Sequence, residues 1–177
     1  MRFWSLIALV LAAALYVAYT TTTIDQIIGD VHAIDRSVKA LTSAVSLSDG
    51  GLYSKAAIAA LFAVVSINTA KGGIDARRLG PGSVSATDAE RVIATVRETL
   101  DITNPRAVKA FEAKKPHFQP WGQDLIVGAA LRLILQEHLF FSNALLERTP
   151  AAYLEDATDA VDVISKALEA GIATFNS

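Results

Sequence analysis

The sequence predicts an all-α protein, in which one N-terminal transmembrane or signal-anchor helix precedes a bundle of four to five helices. Residues 3–19 form an apolar run with Ser5 as its only polar member. The segments that follow repeat apolar residues at helical spacing, and clusters of turn-forming residues separate them. We therefore expect an anchor in residues 1–20 and one helical domain in residues 21–177.

The N-terminal apolar run is long enough to be retained in a membrane. Its seventeen residues span roughly 25 Å as a helix, a little less than the bilayer core of about 30 Å. A cleaved signal peptide needs a small-x-small site just after the run, and cleavage at Ala12-x-Ala14 would leave a very short apolar core. We expect an uncleaved anchor, with a cleaved signal or a buried N-terminal helix as the alternatives.

The flanking charges predict which side of the membrane the bundle occupies. Arg2 precedes the apolar run, and the next cation, Arg36, lies far downstream. Because cationic flanks resist translocation, the N-terminus should stay in the cytoplasm. The bundle should then lie on the periplasmic or extracellular side of a single-pass protein, with the membrane as its partner through residues 3–19.

Composition excludes several classes of function. The net charge is −2, so the chain lacks the basic surface that nucleic-acid binding needs. It contains no cysteine, which excludes disulfides, thiolate zinc sites and iron–sulfur clusters. Its residues form no motif for catalysis, metal binding or nucleotide binding. The sequence therefore predicts a non-enzymatic protein without a cofactor.

The first helix of the domain has the clearest period, and it runs to about Leu47. Thr23-x-x-Gln26 provides a capping box at its start, and Ser48-Asp49-Gly50-Gly51 forms a turn after it. Its apolar stripe either packs on other helices of the chain or forms the seam of an oligomer. The stripe consists of Ile24, Ile27, Val31, Ile34, Val38, Leu41 and Val45.

Three further helices are predicted before residue 116. The second covers residues 52–70 and ends at Lys71-Gly72-Gly73, a cation followed by glycines. A loop over 74–85 leads to the third, which begins at the capping box Thr87-x-x-Glu90 and reaches about Ile102. The short fourth helix begins at Asn104-Pro105, with proline at its first position.

Residues 114–123 form a loop that combines cationic and aromatic side chains between two prolines. One interpretation is a contact patch for a protein partner or for a membrane surface, where tryptophan and lysine are common. The other is that the rings cap the open end of the bundle while the lysines stay solvated. The residues concerned are Lys114, Lys115, His117, Phe118 and Trp121.

The fifth helix, residues 124–148, is apolar on nearly all sides, which predicts a central position in the bundle. A polar cluster interrupts it at Arg132, Gln136, Glu137 and His138. A central arginine costs about 3 kcal/mol on membrane insertion, so a second membrane span is disfavoured. The cluster is either a buried polar or ligand-binding site, or a paired arginine with a solvated strip.

The last helix begins at Thr149-Pro150, an N-cap followed by proline at the first helical position. Its acidic residues lie on a different face from its apolar stripe and should be solvated. The stripe consists of Leu154, Ala157, Val161, Ile164, Leu168 and Phe175.

These features predict a membrane-tethered, non-enzymatic helical bundle that acts as an interaction or accessory subunit on the non-cytoplasmic face. Its partner would be another protein or a second copy of the chain. The alternative is a sensor-type helical domain behind a signal anchor, which binds a small ligand between its helices.

Overall fold

The computed structural model describes residues 22–80, 84–119 and 122–176. All regular structure in these residues is helical, which confirms the predicted all-α class. The predicted anchor, residues 1–20, lies outside the described residues, and so does Trp121. The described α-helices are α1 (Ile24–Leu47), α2 (Leu52–Arg77), α3 (Ala86–Glu98), α4 (Leu100–Ala113), α5 (Lys115–Phe118), α6 (Gln123–Leu146) and α7 (Leu154–Phe175), and a short 3-10 helix, Ala151–Tyr153, precedes α7.

Five of these helices form a closed ring around one axis. α1 packs on α2, α2 on α6, α6 on α7, α7 on α4, and α4 returns to α1. The shorter α3 lies against α1, α4 and α7, and the four-residue α5 contacts α4 and α6. The predicted bundle of four to five helices is therefore a ring of five long helices with α3 added on one side.

α1 agrees with its sequence pattern. Its capping box forms, because Thr23 Oγ1 accepts from the Gln26 backbone N–H at 3.2 Å and Gln26 Oε1 accepts from the Thr23 N–H at 2.7 Å. The stripe residues from Ile27 to Val45 are at most 4% exposed. This face therefore packs on other helices of the same chain.

α2 continues beyond its predicted end. It runs through Gly72 and Gly73 to Arg77, so the predicted stop at the glycine pair is wrong. A Cβ at Gly72 would lie 3.2 Å from Phe141 Cε1, and a Cβ at Gly73 would overlap the Phe140 ring. The two glycines therefore permit close packing of α2 on α6 and do not end the helix.

The third and fourth helices meet at a different residue from the one predicted. The backbone turns at Thr99, with φ −123° and ψ −81°, so α3 ends at Glu98 and α4 begins at Leu100. Pro105 lies inside α4, not at its first position. The cap of α3 is Ser85, whose Oγ accepts from the Asp88 backbone N–H at 3.1 Å, so the predicted Thr87 box does not form the start.

α6 is a wall of the ring and not its central helix, which corrects the prediction from its apolar sequence. Leu125, Ile126 and Leu133 are 63%, 67% and 49% exposed. The adjacent α2 likewise exposes Ile67, at 66%. Among the described helices, α2 and α6 are long and apolar enough to cross a membrane. Core helices of soluble proteins often have the same length and composition. We call the exposed apolar residues of these two helices the outer apolar face.

The glycine contacts predict opposite effects for two glycine-to-alanine substitutions. Gly73→Ala should lower the free energy of unfolding by about 1–2 kcal/mol, because the new methyl group displaces the Phe140 ring. Gly29→Ala in α1 is the matched control. No atom lies within 4 Å of a Cβ there, so better helix propensity should raise stability by roughly 0.5–1 kcal/mol. Urea unfolding followed by circular dichroism measures both, and equal effects would contradict the close packing of α2 on α6.

Candidate ligand-binding cavity

An apolar cleft lies beneath α3. It opens between α3, α6 and α7, and the space in it that a water-sized sphere can occupy is about 70 Å³. Ligand sites in proteins usually have 300–1,000 Å³, so the cleft must widen to hold a ligand larger than a few atoms. The lining from α3 is Ala89, Val92, Ile93 and Val96, and the lining from α6 and α7 includes Phe141, Leu145, Leu146, Ala157, Ala160, Val161 and Ile164.

The sequence produces this cleft through residue size as well as polarity. The apolar stripe of α3 and the stripe of α7 face each other, as their helical periods predict. The α7 stripe presents Ala157 and Ala160 at this level, and α3 presents Ala89. Because alanine does not reach across the gap between helices, space stays open where larger side chains would fill a core.

The cleft contains a small set of polar side chains, His138, Ser142 and Thr149. His138 Nε2 lies 3.3 Å from the Val161 carbonyl oxygen, which can only accept, so Nε2 carries the proton and donates. Nδ1 then accepts from Ser142 Oγ at 3.4 Å, a long contact. The Thr149 hydroxyl donates to the Leu145 carbonyl at 2.9 Å.

His138 is neutral at neutral pH. Burial lowers its pKa to about 4, and the hydrogen bond to Val161 only partly opposes this. The described polar side chains of the cleft are therefore all uncharged near pH 7. A site of this kind favours an apolar ligand with few polar groups.

Exposed ion pairs join α3 to its neighbours at the mouth of the cleft. Arg91 Nη2 lies 2.7 Å from Asp25 Oδ1, next to the start of α1. Arg97 Nη2 lies 2.6 Å from Asp156 Oδ1 of α7. Pairs as exposed as these contribute about 0–1 kcal/mol each, so they hold α3 only weakly in place.

Two smaller cavities lie deeper in the ring. The first is lined by residues that include Ile34, Thr69, Asn104 and His138, and it shares part of its wall with the cleft. The second is lined by residues that include Leu41, Phe62, Ala107 and Phe111. Apolar space therefore occurs at three levels of the helix ring.

The polar cluster predicted on the fifth helix is divided by the fold. Arg132 and Gln136 are exposed, and Glu137 accepts from Ser66 Oγ of α2 at 2.6 Å. Only His138 faces the cleft, together with Ser142 one turn later. Successive helix positions point about 100° apart, so residues 136–138 could not share one small site.

The cationic and aromatic segment lies at the opposite end of the ring from the cleft. Lys114 Nζ donates to the Ser48 carbonyl at 2.9 Å, and Lys115 Nζ donates to the Thr174 carbonyl at 2.6 Å. Phe118 is buried between Phe111 and Phe175, and His117 is partly buried. These contacts tie the end of the bundle together. A docking role for the segment, including Trp121, stays a prediction.

Comparison with known proteins gives one family and several similar structures. The sequence profile of HsbA, hydrophobic surface binding protein A, matches residues 24–147. A crystal structure of Afmp4p in complex with palmitic acid superposes with a TM-score of 0.81 at 22% identity, over 86% of this chain and 99% of that one. No curated protein matches the chain.

Two domains of one fungal protein have the same fold. Ligand-binding domain 2 of the Penicillium marneffei MP1 protein, complexed with multiple arachidonic acids, has a TM-score of 0.78 at 18% identity and covers 88% of this chain and 97% of that one. Ligand-binding domain 1 of MP1, complexed with arachidonic acids, has a TM-score of 0.77 at 17% identity and covers 86% and 97%.

These findings overturn the predicted main function. The family is described as hydrophobic surface binding, and the similar structures are helical proteins in complex with fatty acids. The predicted membrane-tethered subunit, with a membrane and a protein as its partners, is therefore wrong. The alternative, a helical domain that binds a small ligand, is favoured instead. The family is of the secreted, extracellular type. The predicted single-pass anchor lies outside the described residues.

Because His138 is neutral and buried, we expect the free energy of unfolding to decrease as the pH is lowered. Between pH 6.5 and about 4 the unfolded chain binds a proton on His138 that the folded chain does not. The free energy of unfolding should therefore drop by about 3 kcal/mol as pH falls through this window. His138→Gln keeps a donor for the Val161 carbonyl and should remove this component.

Urea unfolding of both proteins at pH 4, 5, 6 and 7 measures the effect as the difference between them. The difference is needed because burial raises the pKa values of Asp30 and Asp101, the latter to about 6. Their protons bind preferentially to the folded chain and act in the opposite direction. An equal pH slope for wild type and His138→Gln would contradict the neutral, buried imidazole.

Proposed function

The chain belongs to the hydrophobic surface binding protein A family, and from this premise we propose that it binds a single-chain lipid such as a fatty acid in the cleft beneath α3. The observation that carries the proposal is the apolar cleft itself, with its few neutral polar groups. The palmitic and arachidonic acids in the similar structures indicate the chemical class of the ligand. The proposed role is binding, not catalysis, and its site of action is outside the cytoplasm.

Burial of the acyl chain supplies the affinity. Each methylene removed from water contributes about 0.8 kcal/mol, and the cleft offers apolar walls on α3, α6 and α7. A carboxylate has no charged partner among the described lining residues, and an unpaired buried charge is strongly unfavourable. The carboxylate therefore stays at the mouth, in water, while the tail lies between the helices.

α3 is the helix that moves outward when the ligand binds. Its inner face contacts the cleft through aliphatic side chains, and its outer side is held by the Arg91–Asp25 and Arg97–Asp156 pairs. Outward displacement of α3 breaks these exposed ion pairs at little cost in free energy. The same displacement widens the cleft enough for a chain to enter.

Filling the cleft should abolish binding. Ala160→Phe places a ring in the space between α3 and α7, and we expect at least a tenfold loss of affinity for palmitate. Ala170→Phe on the exposed side of the same helix is the matched control and should bind like wild type. Isothermal titration with palmitate measures both, and Val96→Phe repeats the test from the α3 side if Ala160→Phe does not fold. Wild-type affinity in these cleft variants would contradict the site.

Adsorption to apolar surfaces is the second candidate function, and the outer apolar face favours it. Ile67 of α2 and Leu125 and Ile126 of α6 are each more than 60% exposed, and α2 and α6 are neighbours in the ring. Large apolar side chains exposed on two neighbouring helices favour an interaction surface. The family description, hydrophobic surface binding, agrees with this use of the face.

A triple substitution tests the second candidate. Ile67→Gln, Leu125→Gln and Ile126→Gln together should reduce the mass adsorbed on a polystyrene-coated quartz crystal several-fold. They should leave stability nearly unchanged, because exposed substitutions usually stay within about 0.5 kcal/mol each. Leu154→Gln with Val163→Gln removes exposed apolar residues from α7 and is the control. Equal losses in the two variants would show that the outer apolar face has no special role.

A further inference from the structure

A polar groove lies on the outside of the ring, where α2 ends beside α6. Arg77 of α2 forms one wall, and a stripe of α6 that runs from Gln136 through Phe140 and Asn143 forms the other, with Arg148 at its end. The groove is open, and the space in it that a water-sized sphere can occupy is about 570 Å³. It shares no lining residue with the cleft beneath α3. We call it the arginine groove.

Arg77 is held in place at the groove by an aromatic ring. Its Cζ lies 4.1 Å from the centroid of the Phe140 ring, within the range of a cation–π contact. The Phe140 ring in turn packs on Gly73 of α2 so closely that a Cβ there would overlap it. The guanidinium therefore rests on a ring whose own position is fixed by the packing of α2 on α6.

The guanidinium of Arg77 has no acceptor among the described residues. It forms neither a hydrogen bond nor an ion pair with any of them, although its side chain is exposed. The nearest carboxylate in the sequence, that of Asp75, is bound by Lys71 at 2.6 Å and lies 3.8 Å from Arg78. The planar fork of N–H donors on Arg77 is therefore free to bind a carboxylate or a phosphate group with two parallel hydrogen bonds.

Arg148 removes the local obstacle to an anion. The carboxyl end of a helix carries partial negative charge on its free carbonyl groups, which repels anions. Arg148 donates to the carbonyl oxygens of Arg77 at 3.3 Å, Leu79 at 3.3 Å and Ala144 at 2.7 Å, near the ends of α2 and α6. Its side chain is only 20% exposed, so it is a second fixed positive charge at the groove.

Two side-chain amides extend the site beyond a single charge. Gln136 and Asn143 lie on opposite sides of Phe140 along the α6 stripe, and seven helical residues separate them by about 10.5 Å. Both are exposed, and neither amide hydrogen-bonds to a residue that the structure describes. Because an amide both donates and accepts, these groups suit hydroxyl, carbonyl or further carboxylate groups of a ligand.

We propose that the arginine groove binds a small polar organic anion, whose carboxylate or phosphate group is held by Arg77 while its other polar groups reach Gln136 or Asn143. This ligand is distinct from the lipid of the proposed function and occupies a separate site. Glu147 is the only carboxylate among the lining residues, and at 74% exposure its charge is largely screened by water.

Titration followed by NMR tests the site directly. Citrate, glycerol 3-phosphate and inorganic sulfate are added separately to the 15N-labelled protein at constant ionic strength. The signals observed are the Nε–H of Arg77 and the side-chain amides of Gln136 and Asn143. We expect saturable shifts at all three for citrate or glycerol 3-phosphate, with a Kd of about 1 mM or below and roughly fivefold tighter than for sulfate.

Three substitutions separate the groove from the general charge of the protein. Arg77→Lys keeps the charge but loses the planar fork, so the affinity for the tighter organic anion should fall about fivefold. Arg78→Gln is the matched control, because it removes one positive charge at a neighbouring residue that does not line the groove, and it should change the affinity less than about twofold. Glu147→Gln removes the carboxylate from the lining and should raise the affinity about two- to threefold.

Each opposite result counts against the proposal. The absence of saturable shifts in wild type up to about 20 mM of either organic anion would refute the site. An equal loss in Arg78→Gln and Arg77→Lys would show that general charge, and not the groove, attracts the anion. Sulfate that binds as tightly as both organic anions would exclude a role for the two amides and with it the proposed ligand class.

Discussion

Five long helices around one axis leave a central space that only side chains can fill, and the rest of this structure depends on how that space is filled. At the end near Phe111 and Phe175 aromatic rings close it, whereas beneath α3 alanines leave it open. Unfilled apolar space lowers the stability of a protein by roughly 24 cal/mol per Å³. The proposed ligand would fill this space and so offset the cost.

The ring also explains why the apolar helices expose so much surface. A helix in the wall of a ring has two neighbours and one inner face, so its fourth side faces water. α2 and α6 carry apolar residues on that side as well, which leaves Ile67 and Ile126 exposed. These two helices therefore combine an inner surface for packing with an outer apolar surface, and the periodicity of their sequences cannot distinguish between the two.

The sequence predicted best those elements whose local signals agree with their packing. α1 has a capping box, a single apolar stripe and a turn at its end, and all three occur in the structure. The end of α2 was wrongly predicted at Gly72-Gly73, because glycine permits a close helix contact as readily as it ends a helix. The cleft was not predictable in the same way. Val92 and Ala160 look like ordinary core residues, and only the arrangement of α3 against α7 shows that a gap separates them.

The glycine pair of α2 also determines how closely α2 and α6 approach each other in the ring. Without side chains, Gly72 and Gly73 let α2 rest directly on Phe141 and Phe140. Phe141 lines the cleft and the smaller cavity next to it, while Phe140 lies beneath the Arg77 guanidinium at 4.1 Å. The distance between α2 and α6, and with it the width of the cleft, therefore depends on a contact of the α2 backbone. Homologous chains with bulkier residues at these two positions would have a cleft of different width even if every lining residue were identical.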